Sequence, residues 1–546
     1  MKRAWYREGA VYQVYPRSFK DADGDGVGDL KGIVEKIPHI AELGCDIVWL
    51  SPVYATPNDD NGYDISDYRA INPEFGTMAD MDELIARLHA RGIRLVMDLV
   101  VNHTSDEHPW FQRSVRKEPG WEDFYHWSPE RKNWTSFFGG PAWTYHEERK
   151  EWYLHLFTKK QPDLNWENPR VREEVKGILE FWLAKGVDGF RCDVINLISK
   201  APGLPNGKPA LILRGREHYM NGPKIHEYLG WLRDEVFSKH DCFTVGETAF
   251  VDPKTALSYV AEDRRELDML FQFEHMGADS YGGIKWFVKR FRPTNLKKPL
   301  SKWQRGLSGK GWNTLYLENH DQARSIDRFA DPERRYASAT MLATMLYFQQ
   351  GTPFVYQGQE LGMTNAGFTE LDQYRDVESK NIYRMARRMF LYSHRKAMRM
   401  LAHSSRDNAR TPMQWDASEH AGFTAGTPWI GVNPNHATVN AETEKNDPDS
   451  IFRYYQKILS LRKKYDIIVY GDYRDLAFRN PRLYAYERRL DGDSLVVVCN
   501  AVGKPVPFRV GINLYGYELI LGNVKAPADG VLEPFEARVY LKRSPT

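Results

Sequence analysis

Acidic and imidazole side chains in four short stretches are the groups of this 546-residue chain best suited to chemistry. Residues 98–103 read DLVVNH, 189–193 read GFRCD, 245–247 read VGE and 318–321 read ENHD. Each stretch ends a short apolar run. A single acid there would usually cap the next helix, so one such stretch alone carries no functional meaning. Three carboxylates and two histidines at convergent strand ends indicate a reaction site.

Two of these stretches supply carboxylates that need opposite protonation states. Arg191 and Asp193 are two residues apart on an expected strand, so their side chains project to the same face. A guanidinium beside a carboxylate keeps it ionised, which suits Asp193 to act as a nucleophile. Glu247 would be a proton donor, which requires apolar or acidic neighbours that raise its pKa. Such a pair is what glycoside hydrolysis needs, and a separation of about 5–5.5 Å gives retention through a covalent intermediate.

The elements that would position these groups alternate between strand and helix. Helical patterns such as 81–91 and 170–185 lie between short β-branched and aromatic runs, which predicts parallel strands. Eight such runs predict a closed (β/α)₈ TIM barrel, an α/β fold with its catalytic groups at the carboxyl ends of the strands. The expected strands are 11–16, 46–52, 94–101, 187–194, 243–247, 269–273, 313–318 and 353–356.

Two further regions interrupt or follow the barrel pattern. Residues 103–169 are too long for a loop and are rich in aromatic residues, so they predict a subdomain inserted after strand 3. The barrel then comprises residues 1–102 and 170–469. Residues 470–546 contain short strands joined by Gly, Asp and Pro turns, which predicts a C-terminal antiparallel β-sandwich. Its expected strands are 483–489, 494–499, 517–520 and 537–541.

The composition excludes several classes of protein. The 75 basic and 73 acidic residues are well mixed, with a net charge of +2, so we expect neither nucleic acid nor membrane as a partner. No stretch of about 18 apolar residues predicts a transmembrane helix, and the first residues lack the apolar segment of a signal peptide. The four cysteines are far apart and predict free thiols in the cytoplasm. We expect a monomer or weak homo-oligomer.

An acidic loop follows the first expected strand. Residues 21–29 read DADGDGVGD and place oxygen ligands at alternate positions, which suits a hard cation such as Ca²⁺. The twelfth position is Gly32, so the bidentate glutamate of an EF-hand is absent. The alternative is an acidic turn held by Asx hydrogen bonds. The loop predicts a structural calcium site with five ligands: Asp21, Asp23, Asp25, the carbonyl of Val27, and Asp29.

In order and spacing, the four stretches resemble the conserved regions of the α-amylase superfamily, glycoside hydrolase family 13. The resemblance covers nearly the whole chain. It implies that Asp193 is the nucleophile, Glu247 the general acid/base and Asp321 the stabiliser of the transition state. It also implies further residues that orient Asp193 or bind sugar hydroxyls, namely His103, Arg191 and His320.

Motifs of a subfamily sharpen this resemblance. Residues 161–165, QPDLN, and 406–415, RDNARTPMQW, are similar to those of oligo-1,6-glucosidases, dextran glucosidases and α-glucosidases. Tyr63 and Asp64 match the family's Gly-Tyr-Asp motif, which implies stacking on the terminal glucose and binding of its distal hydroxyl. We expect Arg410 to pair with Asp64 and close the pocket behind one glucose, which makes the enzyme exo-acting. Arg406 is the alternative partner.

Val194, next to the nucleophile, bears on the linkage that is cleaved. Val there resembles the α-1,6-preferring enzymes, whereas Thr or Ala resembles the α-1,4-preferring α-glucosidases. The alternative explanation is that a β-branched residue suits any strand end. One apolar side chain contributes only about 1–3 kcal/mol to discrimination. The expected activity is exo-hydrolysis of α-1,6 bonds in isomaltose, isomalto-oligosaccharides and panose.

Two other classes of function remain as alternatives. Sucrose isomerases and trehalose synthases use the same carboxylates, but sucrose isomerases carry a loop of the type RLDRD after the seventh strand. Residues 322–328, QARSIDR, do not match that loop. A catalytically inactive relative that serves as a binding subunit would lose the carboxylates, whereas this chain keeps all three.

Overall fold

The eight parallel strands that the sequence predicts form a barrel in the computed structural model, which describes residues 2–210 and 212–544. Every described position of these strands is buried or nearly so, as expected for a parallel sheet covered on both faces. The strands are β1 (Val11–Val14), β2 (Ile47–Leu50), β3 (Arg94–Leu99), β4 (Gly189–Cys192), β5 (Phe243–Glu247), β6 (Met269–Phe271), β7 (Thr314–Leu315) and β8 (Thr352–Tyr356).

The order of the strands is β6-β5-β4-β3-β2-β1-β8-β7, and a parallel bridge between Leu270 and Asn313 joins the two ends of the sheet. The register between strands positions the reactive side chains. Asp98 on β3 is level with Arg191 on β4, and Cys192 is level with Gly246 on β5. Asp193 follows Cys192 and Glu247 follows Gly246, so the two carboxylates lie side by side at the ends of β4 and β5.

Helices surround the barrel, and their ends carry the expected capping residues. The carboxylate of Asp29 accepts a hydrogen bond from the Gly32 amide at the start of one helix, and Gly186 ends another in the left-handed conformation. The longer helices are Leu30–Leu43, Met78–His89, Pro169–Lys185, Ile225–Glu235, Pro253–Val260, Pro293–Leu307, Arg335–Tyr347, Val377–Arg388, His394–Ser404 and Ile451–Lys464. Shorter helices are Trp5–Glu8, Pro109–Val115, Ser325–Phe329, Asp407–Arg410, Ala441–Asn446 and Asp466–Tyr470.

A small antiparallel sheet lies in the insertion after β3. Its strands are Trp127–Ser128, Trp143–His146 and Glu151–Leu154, and a bridge between His103 and Asp163 ties the start of the insertion to its end. A segment from the barrel joins this layer, because the indole of Trp134 donates a hydrogen bond to the carbonyl of Pro205. The sequence did not indicate this contribution from the segment after β4. A separate hairpin pairs Tyr54–Ala55 with Asp67–Ile71.

The C-terminal region is an antiparallel β-domain. Its five-stranded sheet contains Asp472–Asp475, Leu483–Leu490, Asp493–Asn500, Ala537–Lys542 and Glu518–Gly522, in that order, and a two-stranded sheet contains Val506–Pro507 and Val531–Leu532. The predicted fold class is confirmed. Across the described residues, no helix has both the length and the apolar character that a membrane span requires.

Candidate active site

One arginine holds three carboxylates at the carboxyl ends of β3, β4 and β5. Nη1 of Arg191 donates to Oδ1 of Asp98 at 2.5 Å and to Oδ1 of Asp193 at 2.6 Å, and Nη2 donates to Oε2 of Glu247 at 2.5 Å. The other oxygen of Asp98 accepts a hydrogen bond from the indole of Trp49 at 2.8 Å. Asp98 is fully buried, and each of its carboxylate oxygens accepts a hydrogen bond, so it orients the guanidinium toward the other two carboxylates.

Burial sets the protonation of this cluster. It raises the pKa of Asp193 well above its ordinary value; Glu247 and Asp98 add to the shift, whereas Arg191 opposes it. The expectation that Arg191 keeps Asp193 ionised is therefore corrected, because burial outweighs the attraction of the guanidinium.

The third predicted catalytic carboxylate, Asp321, lies in the opposite electrostatic environment. Its Oδ1 accepts hydrogen bonds from Arg410 at 2.8 Å and from Arg406 at 3.2 Å, and its Oδ2 lies 3.1 Å from Nε2 of His320. Burial alone would raise the pKa of Asp321, but His320 and the two arginines hold it well below its ordinary value. Asp321 therefore stays anionic at neutral pH.

Tyr63 and His320 form a stacked pair between these two clusters. Their rings are nearly parallel with centroids 5.4 Å apart, and the Tyr63 hydroxyl lies 2.7 Å from Nε2 of His320. The side-chain amide of Gln13 donates to Nδ1 of His320 at 2.8 Å, so the proton on Nε2 faces Asp321. The predicted residues Tyr63 and His320 are thus brought together with the carboxylates.

His103 is also buried at this site and is uncharged at neutral pH. Burial lowers the pKa of His103 to about 4. Its Nε2 lies 3.1 Å from the carbonyl of Tyr63 and 3.2 Å from the side-chain amide of Gln161. The QPDLN motif therefore contributes to the pocket through Gln161, and its Asp163 forms a buried ion pair with Lys200 at 2.8 Å.

The expected ion pair between Asp64 and Arg410 is absent, and this expectation was wrong. The carboxylate of Asp64 accepts hydrogen bonds from the backbone amides of Asp59 at 2.8 Å and Asp60 at 3.0 Å, so it stabilises its own loop. The side chain is fully buried. Arg410 instead binds Asp321 and donates from Nε to the carbonyl of His320.

The pair that closes this side of the pocket is Asp60 with Arg406. Nη2 of Arg406 lies 3.4 Å from Oδ1 of Asp60, a contact between positions 346 residues apart. Arg406 also binds Asp376 at 2.5 Å and lies 3.6 Å from a carboxylate oxygen of Glu378. Burial raises the pKa of Asp60 to about 7, although Arg406 opposes this. Asp60 belongs to the same DDNGYD stretch as Asp64, but sequence reasoning selected the wrong aspartate.

Comparison with known proteins agrees with this arrangement. A family model described as the catalytic domain of α-amylase matches residues 13–471. The chain belongs to the α-amylase family. It is therefore a glycoside hydrolase, as the four sequence stretches predicted.

Relatives within the α-amylase family match the chain over its full length. An oligo-1,6-glucosidase from Parageobacillus thermoglucosidasius is 52% identical over 562 aligned positions, covering 100% of both chains. The solved trehalose-6-phosphate hydrolase of Bacillus licheniformis has a TM-score of 0.95 at 45% identity and covers 99% of this chain and 100% of its own. The isomaltulose synthase of Klebsiella sp. LX3 has a TM-score of 0.94 at 39% identity, covering 100% of both.

Val194 has a strained backbone in this member of the family. Its φ of 34° and ψ of 40° place a β-branched residue in the left-handed region, which L side chains rarely adopt. The explanation that a β-branched residue merely suits a strand end therefore fails, because β4 ends two residues earlier. In this conformation the amide of Val194 donates toward Oε2 of Glu247 at 3.4 Å, and the side chain packs against the buried cluster that contains Leu197 and Tyr219.

The acidic loop brings together three of its five predicted ligands. Carboxylate oxygens of Asp21, Asp23 and Asp29 lie within 4.8 Å of one another. Asp25 is not part of this group. Its Oδ1 accepts a hydrogen bond from the backbone amide of Val27 at 2.8 Å in an Asx turn. Burial raises the pKa of Asp23, and the neighbouring acids add to the shift. Such clustered carboxylates, with only oxygen donors, fit a hard divalent cation.

Proposed function

We propose that this glycoside hydrolase is a retaining, exo-acting α-glucosidase that cleaves α-1,6 bonds at the non-reducing ends of isomaltose, isomalto-oligosaccharides and panose. The observation that carries the proposal is the guanidinium of Arg191, which holds Asp193 and Glu247 at the ends of adjacent strands. The name of the relative at 52% identity supports the choice of linkage.

In the proposed reaction the carboxylates of β4 and β5 act in sequence. Asp193 attacks the anomeric carbon while Glu247 transfers its proton to the glycosidic oxygen, which breaks the bond and leaves a glucosyl ester on Asp193. Glu247, now ionised, removes a proton from water, and this water releases glucose with its configuration retained. The first step needs Asp193 ionised and Glu247 protonated. Anionic Asp321 stabilises the positive charge that develops on the sugar ring.

The exo-acting mode is supported by the contacts behind the site. Arg406 joins Asp60 to Asp321, and the ring of Phe138 from the insertion lies 5.4 Å from its guanidinium. Asp321 contacts His320, which stacks on Tyr63, so these contacts lie next to the position where a single terminal glucose would bind. Asp60 and Arg406, rather than Asp64 and Arg410, are the residues that we assign to its distal hydroxyls.

Initial rates on isomaltose, maltose, sucrose, trehalose and trehalose 6-phosphate test the proposal. The expected result is the highest kcat/KM for isomaltose, with glucose as the only product. Faster cleavage of maltose would overturn the inference from Val194. Preference for trehalose 6-phosphate, or formation of isomaltulose or trehalulose from sucrose, would replace this function by that of the solved structural relatives.

We also propose that the acidic loop binds a structural Ca²⁺. Asp21, Asp23 and Asp29 would hold the ion, which would supply positive charge to a crowded set of carboxylates and stabilise the start of the helix that Asp29 caps. Calcium at about 100 times its Kd should stabilise the fold by about 2.7 kcal/mol. Thermal unfolding in EDTA and in CaCl₂ measures this, and an unchanged Tm would contradict the proposal. The same comparison in Asp23→Asn should show no calcium effect.

We also propose that the protein is a cytoplasmic monomer or weak homo-oligomer. The four cysteines are free in the structure, and three of them are buried, which supports a reducing compartment such as the cytoplasm. The proposed substrates are small neutral oligosaccharides. Sedimentation velocity on the purified protein would test the expected monomer or weak homo-oligomer.

A further inference from the structure

Two helices after β8 form a surface whose charge is unlike that of the rest of the chain. We call the helices Val377–Arg388 and His394–Ser404, with their connecting residues 389–393, the basic hairpin. Residues 379–404 contain seven Lys and Arg and no Asp or Glu. Because the net charge of the whole chain is +2, the chain without these seven cations would carry −5.

The cations of the basic hairpin have no acidic partners within the described part of the chain, although acidic and basic residues form many ion pairs elsewhere on the surface. Arg387 donates to the carbonyl of Tyr392 at 2.6 Å, and the ammonium of Lys396 lies 3.6 Å from the ring of Tyr392. Arg388, Arg395 and Lys396 are exposed. The positive charge is therefore left free to meet an external anion.

The tip between the two helices is apolar and exposed. Met389 is 71% and Leu391 is 83% exposed, and Phe390 between them is 39% exposed. Consecutive large apolar side chains in contact with water are unfavourable unless something covers them. Here they stand between Arg387 and Arg388 on one helix and Arg395 and Lys396 on the other.

Hydrogen bonds and an ion pair hold the base of the basic hairpin, and an aromatic contact lies near its tip. The hydroxyls of Ser379 and Ser405 lie 2.7 Å apart, and Asp376 binds Arg406 at 2.5 Å. At the far end Phe390 packs edge-on against Phe287, with ring centroids 5.7 Å apart. These contacts leave the outer faces of both helices free.

We propose that the basic hairpin docks on an anionic lipid bilayer surface. An exposed apolar tip flanked by cations matches a fluid interface that carries negative headgroups, because apolar insertion there requires no complementary groove. An acidic protein would need such a groove. A nucleic acid would bind the cations but would leave Met389 and Leu391 exposed to water. The balanced overall composition, from which we expected no membrane partner, conceals this local excess of charge.

Co-sedimentation of the full-length enzyme with lipid vesicles tests the proposal. The enzyme should bind vesicles containing 40% phosphatidylglycerol in phosphatidylcholine at low salt, should not bind pure phosphatidylcholine, and should dissociate in 0.5 M NaCl. Absence of binding to the anionic vesicles would overturn it. Tighter binding to heparin or double-stranded DNA than to the vesicles would also overturn it, because the partner would then be a soluble polyanion.

Matched variants locate the binding surface. The quadruple variant Arg387→Gln, Arg388→Gln, Arg395→Gln and Lys396→Gln should lower vesicle binding by more than tenfold, since each lost charge weakens partitioning about fivefold. The triple variant Met389→Ser, Phe390→Ser and Leu391→Ser should also lower it by at least tenfold. The charge control neutralises four exposed cations elsewhere, Lys457, Lys464, Lys504 and Arg509. Equal binding by the quadruple variant and this control would refute the assignment, and activity on p-nitrophenyl α-glucoside verifies folding.

Discussion

Two arginine-centred clusters meet in the same pocket, and they treat their carboxylates in opposite ways. Arg191 alone serves Asp98, Asp193 and Glu247, and burial raises the pKa of Asp193 there. At Asp321, two arginines and a histidine converge, and its pKa is held well below its ordinary value. At Asp193 burial outweighs the single guanidinium, whereas the cations around Asp321 outweigh burial and maintain an anion where charge must be stabilised.

The two clusters also differ in how they are built. The Arg191 cluster comes from three adjacent strands whose register is fixed by backbone hydrogen bonds. The cluster around Arg406 is assembled from loops, and its contact with Asp60 spans 346 positions of the chain. Paired strands fix the geometry of the carboxylates to which we assign the reaction, whereas loops supply the residues to which we assign substrate binding.

Removing the cation of the first cluster should have the largest effect. Arg191→Gln leaves three buried carboxylates without their shared partner, which should lower the free energy of unfolding by about 3–5 kcal/mol. Because Asp193 and Glu247 also lose the group that orients them, kcat/KM should fall by about 10²–10³ or more. Loss of the positive charge raises the pKa of Asp193 further, so the acid limb of the pH–rate profile should move to higher pH. Steady-state rates between pH 4 and 9 measure both effects. An unshifted acid limb would contradict the role assigned to Arg191. Arg191→Lys restores the positive charge but not the two-nitrogen geometry of the guanidinium, so it should reverse part of the shift in the acid limb.

Changing the two aspartates of the loop should have a smaller and more selective effect. Asp60→Asn should raise KM by about tenfold to a hundredfold, because a charge-assisted hydrogen bond to a sugar hydroxyl is worth about 1.5–3 kcal/mol. With a pKa of about 7, Asp60 becomes ionised and binds hydroxyls better as pH rises, so KM of the parent should fall between pH 6 and 8. That dependence should vanish in Asp60→Asn.

Asp64→Asn is the matched control for Asp60. Its carboxylate holds the backbone amides of Asp59 and Asp60, so its loss should lower the Tm while preserving the pH dependence of KM. If Asp64→Asn abolished that dependence and Asp60→Asn kept it, the original assignment of Asp64 to the sugar would be restored.

These results also indicate what could be predicted from the sequence. Strand periodicity placed Arg191 beside Asp193, and the eight strands and the barrel followed from short apolar runs with polar ends. Asp60 was missed because its role depends on how a loop turns, and only the structure shows that Asp64 binds backbone amides instead. The division of one positive charge among three carboxylates was also beyond sequence reasoning, because it depends on the register of β3, β4 and β5.

The smallest expected effect concerns Val194. Val194→Thr keeps a β-branched side chain but adds a hydroxyl beside Glu247, and the ratio of kcat/KM for isomaltose to that for maltose should fall by about 5-fold to 100-fold, corresponding to about 1–3 kcal/mol. Parallel assays on the two disaccharides measure the ratio. A ratio that stays the same would show that linkage preference is set elsewhere in the pocket. Val194→Gly, which relieves the strained backbone, separates the effect of conformation from that of the side chain.

The division of labour between Asp193 and Glu247 is tested most directly by trapping the covalent intermediate. Incubation with 5-fluoro-α-glucosyl fluoride, followed by intact-mass analysis and peptide mapping, reports which side chain carries the sugar. We expect one fluoroglucosyl group on the peptide that contains Asp193 and none on the Asp193→Ala variant. Labelling of Glu247 or Asp321, or equal labelling of Asp193→Ala, would contradict it.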